Sequence, residues 1–201
     1  MIGNQNKVLL KDTLETKKGQ LEELFKEVMR TFGYDYEKDP NMKETPKRMA
    51  KMYMDELFAG CYQKEPKFTI FPNTKKIDQI VYMKDIKLVS TCSHHLVNFV
   101  GKVSIGYLPN RLICGASKLV RVVRWFAKRP QIQEELTKQI ADYLQKKLKP
   151  RGVGVIIEAK HYCMIARGVE EENAVLGTSE VLGAFRKDRS LKDEFLRLIG
   201  R

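Results

Sequence analysis

Every histidine of this chain lies beside a cysteine: Cys92-Ser93-His94-His95 carries two of them and His161-Tyr162-Cys163 the third. Thiolate and imidazole at such spacing are the donors that a borderline-soft divalent ion such as zinc prefers. The two segments are far apart in sequence, so a fold must bring them together, each giving one or two ligands. Two cysteines and one histidine leave a fourth position open to water, the pattern of a catalytic zinc site. Two cysteines and two histidines close the shell, the structural pattern. At this level either histidine of the pair can be the one off the metal. An extended strand puts Cys92 and His94 on one face, whereas a turn brings Cys92 and His95 together. A histidine left beside the metal is a natural proton carrier, with a reference pKa near ~6.5.

Three other segments carry candidate chemistry. Gly115-Ala116-Ser117-Lys118-Leu119-Val120-Arg121 reads as a helix start. Its N–H groups and dipole would favour an anion, and Lys118 and Arg121 add two cations on one face. The same pattern also suits an ordinary serine cap before a basic amphipathic helix. Gln131-Ile132-Gln133-Glu134-Glu135 reads first as a solvated helix turn whose acids suit the dipole. A carboxylate at Glu134 beside the amide of Gln133 could also read the donor edge of guanine, which spacing does not show. Thr45-Pro46-Lys47-Arg48 is a helix start, with Thr45 as N-cap, Pro46 as first helical residue and Arg48 as a secondary anion-binding candidate.

The elements that must position these residues follow from periodicity. Residues 13–33 carry Leu21, Leu24, Phe25, Val28, Met29 and Phe32 at helical spacing, and Gly33 ends that helix. A second helix runs from Thr45 to Gly60. Lys67 to Asp85 alternates in short bursts of strand and turn, and Lys87 to Pro109 reads as strand, metal segment, strand. Helices follow from Ser117 until Pro130 breaks the pattern, and from about Ile132 to Leu148. Gly152 to Glu158 is a strongly apolar strand running towards His161, Val175 to Phe185 a further strand, and Leu191 to Ile199 a closing helix. The order predicts an α+β fold with an antiparallel sheet covered on one side by helices, preceded by a helical region over residues 1–65.

Composition narrows the partners. A formal charge of +12 requires anions nearby, either nucleic acid or a polyphosphate. No run of ~18 apolar residues is present, so no membrane span is expected. Met1 to Lys7 lacks the apolar stretch of a signal peptide, which predicts a cytoplasmic protein. In reducing surroundings Cys92 and Cys163 suit metal rather than disulfides, and Cys61 and Cys114 read as small, mostly buried hydrophobes.

Taken together the motifs resemble GTP cyclohydrolase I from about Thr45 to Leu198. The resemblance rests on Thr45-Pro46-x-Arg48, Cys92-x-His94-His95, Gly101-Lys102-Val103, Tyr107-x-Pro109-Asn110, Ser117-Lys118-Leu119-x-Arg121, Gln133-Glu134-x-Leu136-Thr137, His161-x-Cys163-Met164 and Arg167-Gly168. It implies a tunnelling-type fold over residues 66–201, in which sheets of several subunits close a barrel. It also implies conversion of GTP to 7,8-dihydroneopterin triphosphate and formate, the first step towards folate, biopterin or deazaguanine products. By resemblance Cys92, His95 and Cys163 hold zinc, and a zinc-bound water attacks C8 of guanine. His94 and His161 carry protons, Gln133 and Glu134 read guanine, and Arg48, Ser117, Lys118, Arg121 and Arg167 contact ribose and triphosphate. The implied assembly is a homodecamer with active sites at subunit interfaces.

Some positions depart from the family pattern. Ser93 replaces the usual Glu, removing a carboxylate from the surroundings of the zinc. Asn98, Ala116, Arg124 and the stretch from Glu172 to Ser179 also drift. Two rival functions follow. One enzyme would stop at a ring-opened formamidopyrimidine nucleotide. A basic nucleic-acid-binding module would use a closed structural zinc, although its basic residues lack the aromatic interleaving of such surfaces.

Overall fold

The computed structural model describes residues 13–201, which divide into two compact units, residues 13–64 and 65–201. The amino-terminal residues behind the cytoplasmic expectation lie outside the described ones.

The first unit is helical. Helix α1 (Leu14–Thr31) is capped by Thr13, whose hydroxyl accepts from the Thr16 N–H at 3.2 Å. Gly33, at φ 81°, takes the left-handed conformation that ends it. Helix α2 (Thr45–Lys51) begins one residue earlier than the sequence predicts: Glu44 is the N-cap, and Thr45 is already helical. Past Lys51 the backbone widens into a π-helical stretch, Met52–Leu57, before the short α3 (Ala59–Tyr62). Within this unit Tyr53 stacks on Phe25 of α1 at 5.8 Å, and Lys18 pairs with Asp55 at 2.9 Å.

The second unit is built on a five-stranded sheet. Its elements are β1 (Ile70–Pro72), β2 (Val81–Cys92), β3 (Asn98–Leu108), β4 (Leu112–Cys114), α4 (Ala116–Ala127), β5 (Pro130–Gln131), α5 (Gln133–Leu148), β6 (Gly152–His161), α6 (Tyr162–Ile165), β7 (Leu176–Gly183), α7 (Ala184–Lys187) and α8 (Arg189–Leu198). The strand order is β5-β2-β3-β6-β7, antiparallel except for the two-residue parallel pairing of β5 with β2; β1 and β4 form a separate ribbon. Alternate residues sort the faces. Val103, Ile105 and Tyr107 of β3 and Val153, Val155 and Ile157 of β6 join the main core with Leu119, Val123 and Phe126 of α4 and Leu136, Ile140 and Leu144 of α5. Helix α5 ends where Lys149 turns left-handed ahead of Pro150.

Residues of opposite parity face a smaller core under α8. Here Leu108 and Ile156 meet Phe185, Phe195 and Ile199. Gly106 and Gly154 make room for the Phe195 ring: a Cβ at either would lie 2.5–2.6 Å from it. Phe195 is fully buried, so Phe195→Ala is expected to cost roughly 3–5 kcal/mol in denaturant unfolding. Among the described residues no helix is long and apolar enough to cross a membrane.

Candidate active site

The sheet brings the two metal segments together at one end. Strand β2 ends at Cys92, and the chain turns through Ser93–Val97 into β3. The turn is closed by the Leu96 N–H on Cys92 O and the Cys92 N–H on Val97 O, both at 2.9 Å. Leu96 adopts φ 54°, an uncommon conformation for a branched residue, and such strain gathers at functional turns. Beneath the turn, the Thr91 hydroxyl and the Asn98 side-chain oxygen lie 3.0 Å apart. On the far side of β3, β6 ends at His161, opposite Phe99 in register, and the next helical turn, α6, carries Cys163.

Ligand atoms of Cys92, His95 and Cys163 all lie within 4.8 Å of one another. Bonds of ~2.0–2.3 Å to a tetrahedral zinc need ligand atoms about 3.3–3.8 Å apart, so a small inward movement suffices. Two sulfurs and one imidazole nitrogen are the right donors for such an ion. His94, in the same turn, has its Nδ1 3.6 Å from Cys92 Sγ. Arg167 Nη1 is 3.1 Å from His95 Nε2. A guanidinium can only donate, so that nitrogen can ligate a metal only when Arg167 turns aside. Burial raises the Cys163 thiol above its ordinary pKa, and the Cys92 sulfur beside it pushes the same way; a bound cation favours the thiolate instead.

A cavity of about 370 Å³ opens over this cluster, lined among others by His94, Glu134, His161, Arg167 and Leu176. That is within the ~300–1,000 Å³ of small-molecule sites. The short β5 puts α5 there: it pairs with Thr91 and Cys92, and the Ser93 N–H donates to Gln131 O at 3.3 Å. Gln133 and Glu134 therefore open α5 beside the metal turn. Glu134 is exposed to the cavity, whereas Gln133 is fully buried. The Gln133 amide nitrogen lies 3.1 Å from Ile157 O, 2.9 Å from Leu176 O and 3.1 Å from Thr178 Oγ1, and its oxygen lies 2.9 Å from His161 Nε2. His161 also stacks on Phe99, centroids 4.7 Å apart and planes 7° from parallel. Burial lowers the His161 pKa, opposed by the Glu134 carboxylate.

The other candidates lie elsewhere. Ser117, Lys118 and Arg121 stand at the start of α4, and none lines the cavity. The N-cap there is Gly115, and Ser117 is already helical. Arg48 belongs to the first unit. Sequence reasoning gave no site role to Met164, which it quoted only within the Cys163 motif, to Leu176 and Thr178, which it noted only within a drifting stretch, or to Val169. Cys61 and Cys114 are half-buried rather than interior.

Comparison with known proteins agrees with this geometry. Residues 21–200 match the profile of the family described as GTP cyclohydrolase I. The GTP cyclohydrolase 1 of Edwardsiella ictaluri is 44% identical over 186 residues, 92% of this chain and 84% of that protein. That of Yersinia enterocolitica is 41% identical over the same shares. Among solved structures, an archaeosine synthase QueF-Like in the apo form aligns with TM-score 0.43 and 16% identity over 52% of this chain and 93% of its own.

Proposed function

The chain belongs to the GTP cyclohydrolase I family, and from that premise we propose how its own residues open and reclose the guanine ring of GTP. Members of the family are enzymes that convert GTP to dihydroneopterin triphosphate on the tunnelling fold. Cys92, His95 and Cys163 would hold zinc, which when bound supplies a hydrolytic nucleophile at neutral pH by acidifying water from ~15.7 towards ~7.

Glu134 accepts hydrogen bonds from N1–H and the 2-amino group of guanine, which orients C8 towards the Cys/His cluster. Gln133, expected from the resemblance to share this recognition, borders the cavity with its amide already spent on protein groups. His94 and His161 flank the cluster and hold or deliver protons as the imidazole ring opens and formate leaves. Ile132, Val169 and Leu176 give the cavity apolar walls that limit water around the base. Arg167 turns from His95 towards the triphosphate. Ser117, Lys118 and Arg121 bind phosphate and ribose from a neighbouring subunit in a homodecamer whose sheets close a barrel, and Arg48 adds a further cation. Catalysis is thereby assigned to residues 65–201.

The observation that carries this reading is the convergence of a three-ligand cluster, two further histidines and Glu134 on one cavity. A closed structural zinc would need a fourth ligand. Among the described residues only Cys92, His95 and Cys163 cluster, and His161 is engaged by Gln133.

The test is to incubate the zinc-loaded protein with GTP, oxidise and dephosphorylate the products, and measure neopterin fluorescence and formate together. Fluorescence with stoichiometric formate is expected. GTP consumption without fluorescence would mean the reaction stops after ring opening, and no turnover would sink the enzymatic reading.

A further inference from the structure

We propose that Gln133 serves the reaction through His161, as a positioning residue that holds the proton on Nε2 and leaves Nδ1 as the accepting nitrogen. The inference rests on the reading of His161 as a proton carrier in the GTP site. It departs from guanine recognition by Gln133.

The argument is a donor count. Gln133 is fully buried, so its amide must find partners within the protein. Its nitrogen end faces the carbonyl oxygens of Ile157 and Leu176 at 3.1 and 2.9 Å. Carbonyls only accept, so the NH2 group must point there and the amide cannot be flipped. Thr178 completes the anchor. The Thr137 hydroxyl donates to Gln133 O at 2.8 Å, so in the 2.6 Å contact between Thr137 and Thr178 the Thr178 hydroxyl is the donor. The Thr178 oxygen is then left as an acceptor 3.1 Å from the Gln133 amide nitrogen, whose two hydrogens are shared among it and the two carbonyls.

With the amide fixed, its oxygen faces His161 Nε2 at 2.9 Å. That oxygen can only accept, so Nε2 must carry a hydrogen. The neutral ring therefore bears its lone pair on Nδ1. Phe99, stacked on the ring within 7° of parallel, holds the plane in which this arrangement is made. A histidine whose tautomer is set by the bond at its other nitrogen presents one defined atom for proton transfer.

The first measurement reads the wild-type protein and uses a variant for assignment alone. Solid-state 15N spectra of zinc-loaded protein labelled at histidine, with His161 assigned by the signals lost in His161→Asn, should show neutral His161 protonated at Nε2 and bare at Nδ1. A bare Nε2 would overturn the proposal. The second measurement is steady-state kinetics of Gln133→Met with GTP and with ITP, which lacks the 2-amino group. Positioning predicts kcat down by about tenfold to a hundredfold, part of the ~10²–10⁴ of general acid–base catalysis. KM for GTP should stay within about twofold and the preference for GTP over ITP should hold. A raised KM with eroded preference would make Gln133 a base reader and overturn the inference. Thr178→Val, a milder change to the anchor, should lower kcat in the same sense by a smaller factor. Absence of turnover in the wild type would instead fail the functional reading, whatever the spectrum shows.

Discussion

Two candidate ion-binding regions of the second unit differ in how complete one chain makes them. At the end of the sheet, Cys92, His95 and Cys163 converge and a cavity opens over them, with His94, Glu134, His161 and Arg167 on its walls. At the start of α4, Ser117, Lys118 and Arg121 stand exposed or half-exposed, outside that cavity. The first region is built from the end of β2, the end of β6, α6 and the start of α5, so the fold of one chain sets its geometry. The second has only a helix end and long flexible cations, which bind a polyanion well only when something else supplies the opposite wall. The difference fits the proposal that one subunit supplies chemistry and its neighbour supplies charge.

Breaking the first region should have the largest effect. Cys163→Ser or Cys92→Ser is expected to strip the site of metal after dialysis and to abolish formate release, checked by metal analysis and the formate assay. His94→Ala should keep its metal but lose about 10²–10⁴ in kcat, the range of general acid–base catalysis. If metal is lost as well, His94 and not His95 is the ligand.

The second region should yield a smaller and differently shaped loss. Arg121→Ala or Lys118→Ala should raise KM for GTP by roughly tenfold, the worth of one charge-assisted hydrogen bond at about 1.5 kcal/mol, while the metal content stays unchanged. Subunit mixing sharpens the comparison further. Cys163→Ser and a Ser117→Ala/Lys118→Ala/Arg121→Ala variant, each impaired alone, should regain activity when co-expressed as mixed oligomers. No recovery would place both regions in the same chain's site.

The smallest effect concerns stability alone. Asp188 caps α8 through the Ser190 and Leu191 N–H groups, at 2.9 and 3.4 Å. The Ser190 hydroxyl, then these N–H groups, hold its carboxyl below the ordinary value. A depressed folded-state pKa gives stability that is present above the unfolded value of ~3.9 and is lost as pH falls through the folded one. Thermal unfolding of Asp188→Ala should therefore begin slightly below the wild type at neutral pH and converge with it in acid.

How much of this was legible in the sequence depended on whether a residue's role is local. Histidines beside cysteines announce metal from spacing alone, and the apolar periods of α4, α5 and β6 announce the elements that carry them. The turn that groups His95 with Cys92 and Cys163 was hidden, since no residue type there advertises the left-handed backbone of Leu96. Gln133 shows the opposite limit. A polar residue in an acidic first turn reads as solvated, yet it lies wholly inside because Thr178, far along the chain on β7, and the carbonyls of Ile157 and Leu176 receive it. The π-helical stretch after Lys51 was equally hidden, since Met52–Leu57 keeps an ordinary helical composition. An anion-binding role for Ser117, Lys118 and Arg121 was a weak signal by spacing and stronger by resemblance, because a basic helix start looks alike whether or not an anion ever meets it.

X-ray absorption at the zinc edge of the loaded protein would test the central claim most directly, that this is an open metal centre facing a GTP cavity. The account predicts two sulfurs, one imidazole nitrogen and one light-atom ligand that is not imidazole, unchanged in His94→Ala. Two sulfurs with two imidazoles would mean a closed structural site and would contradict it.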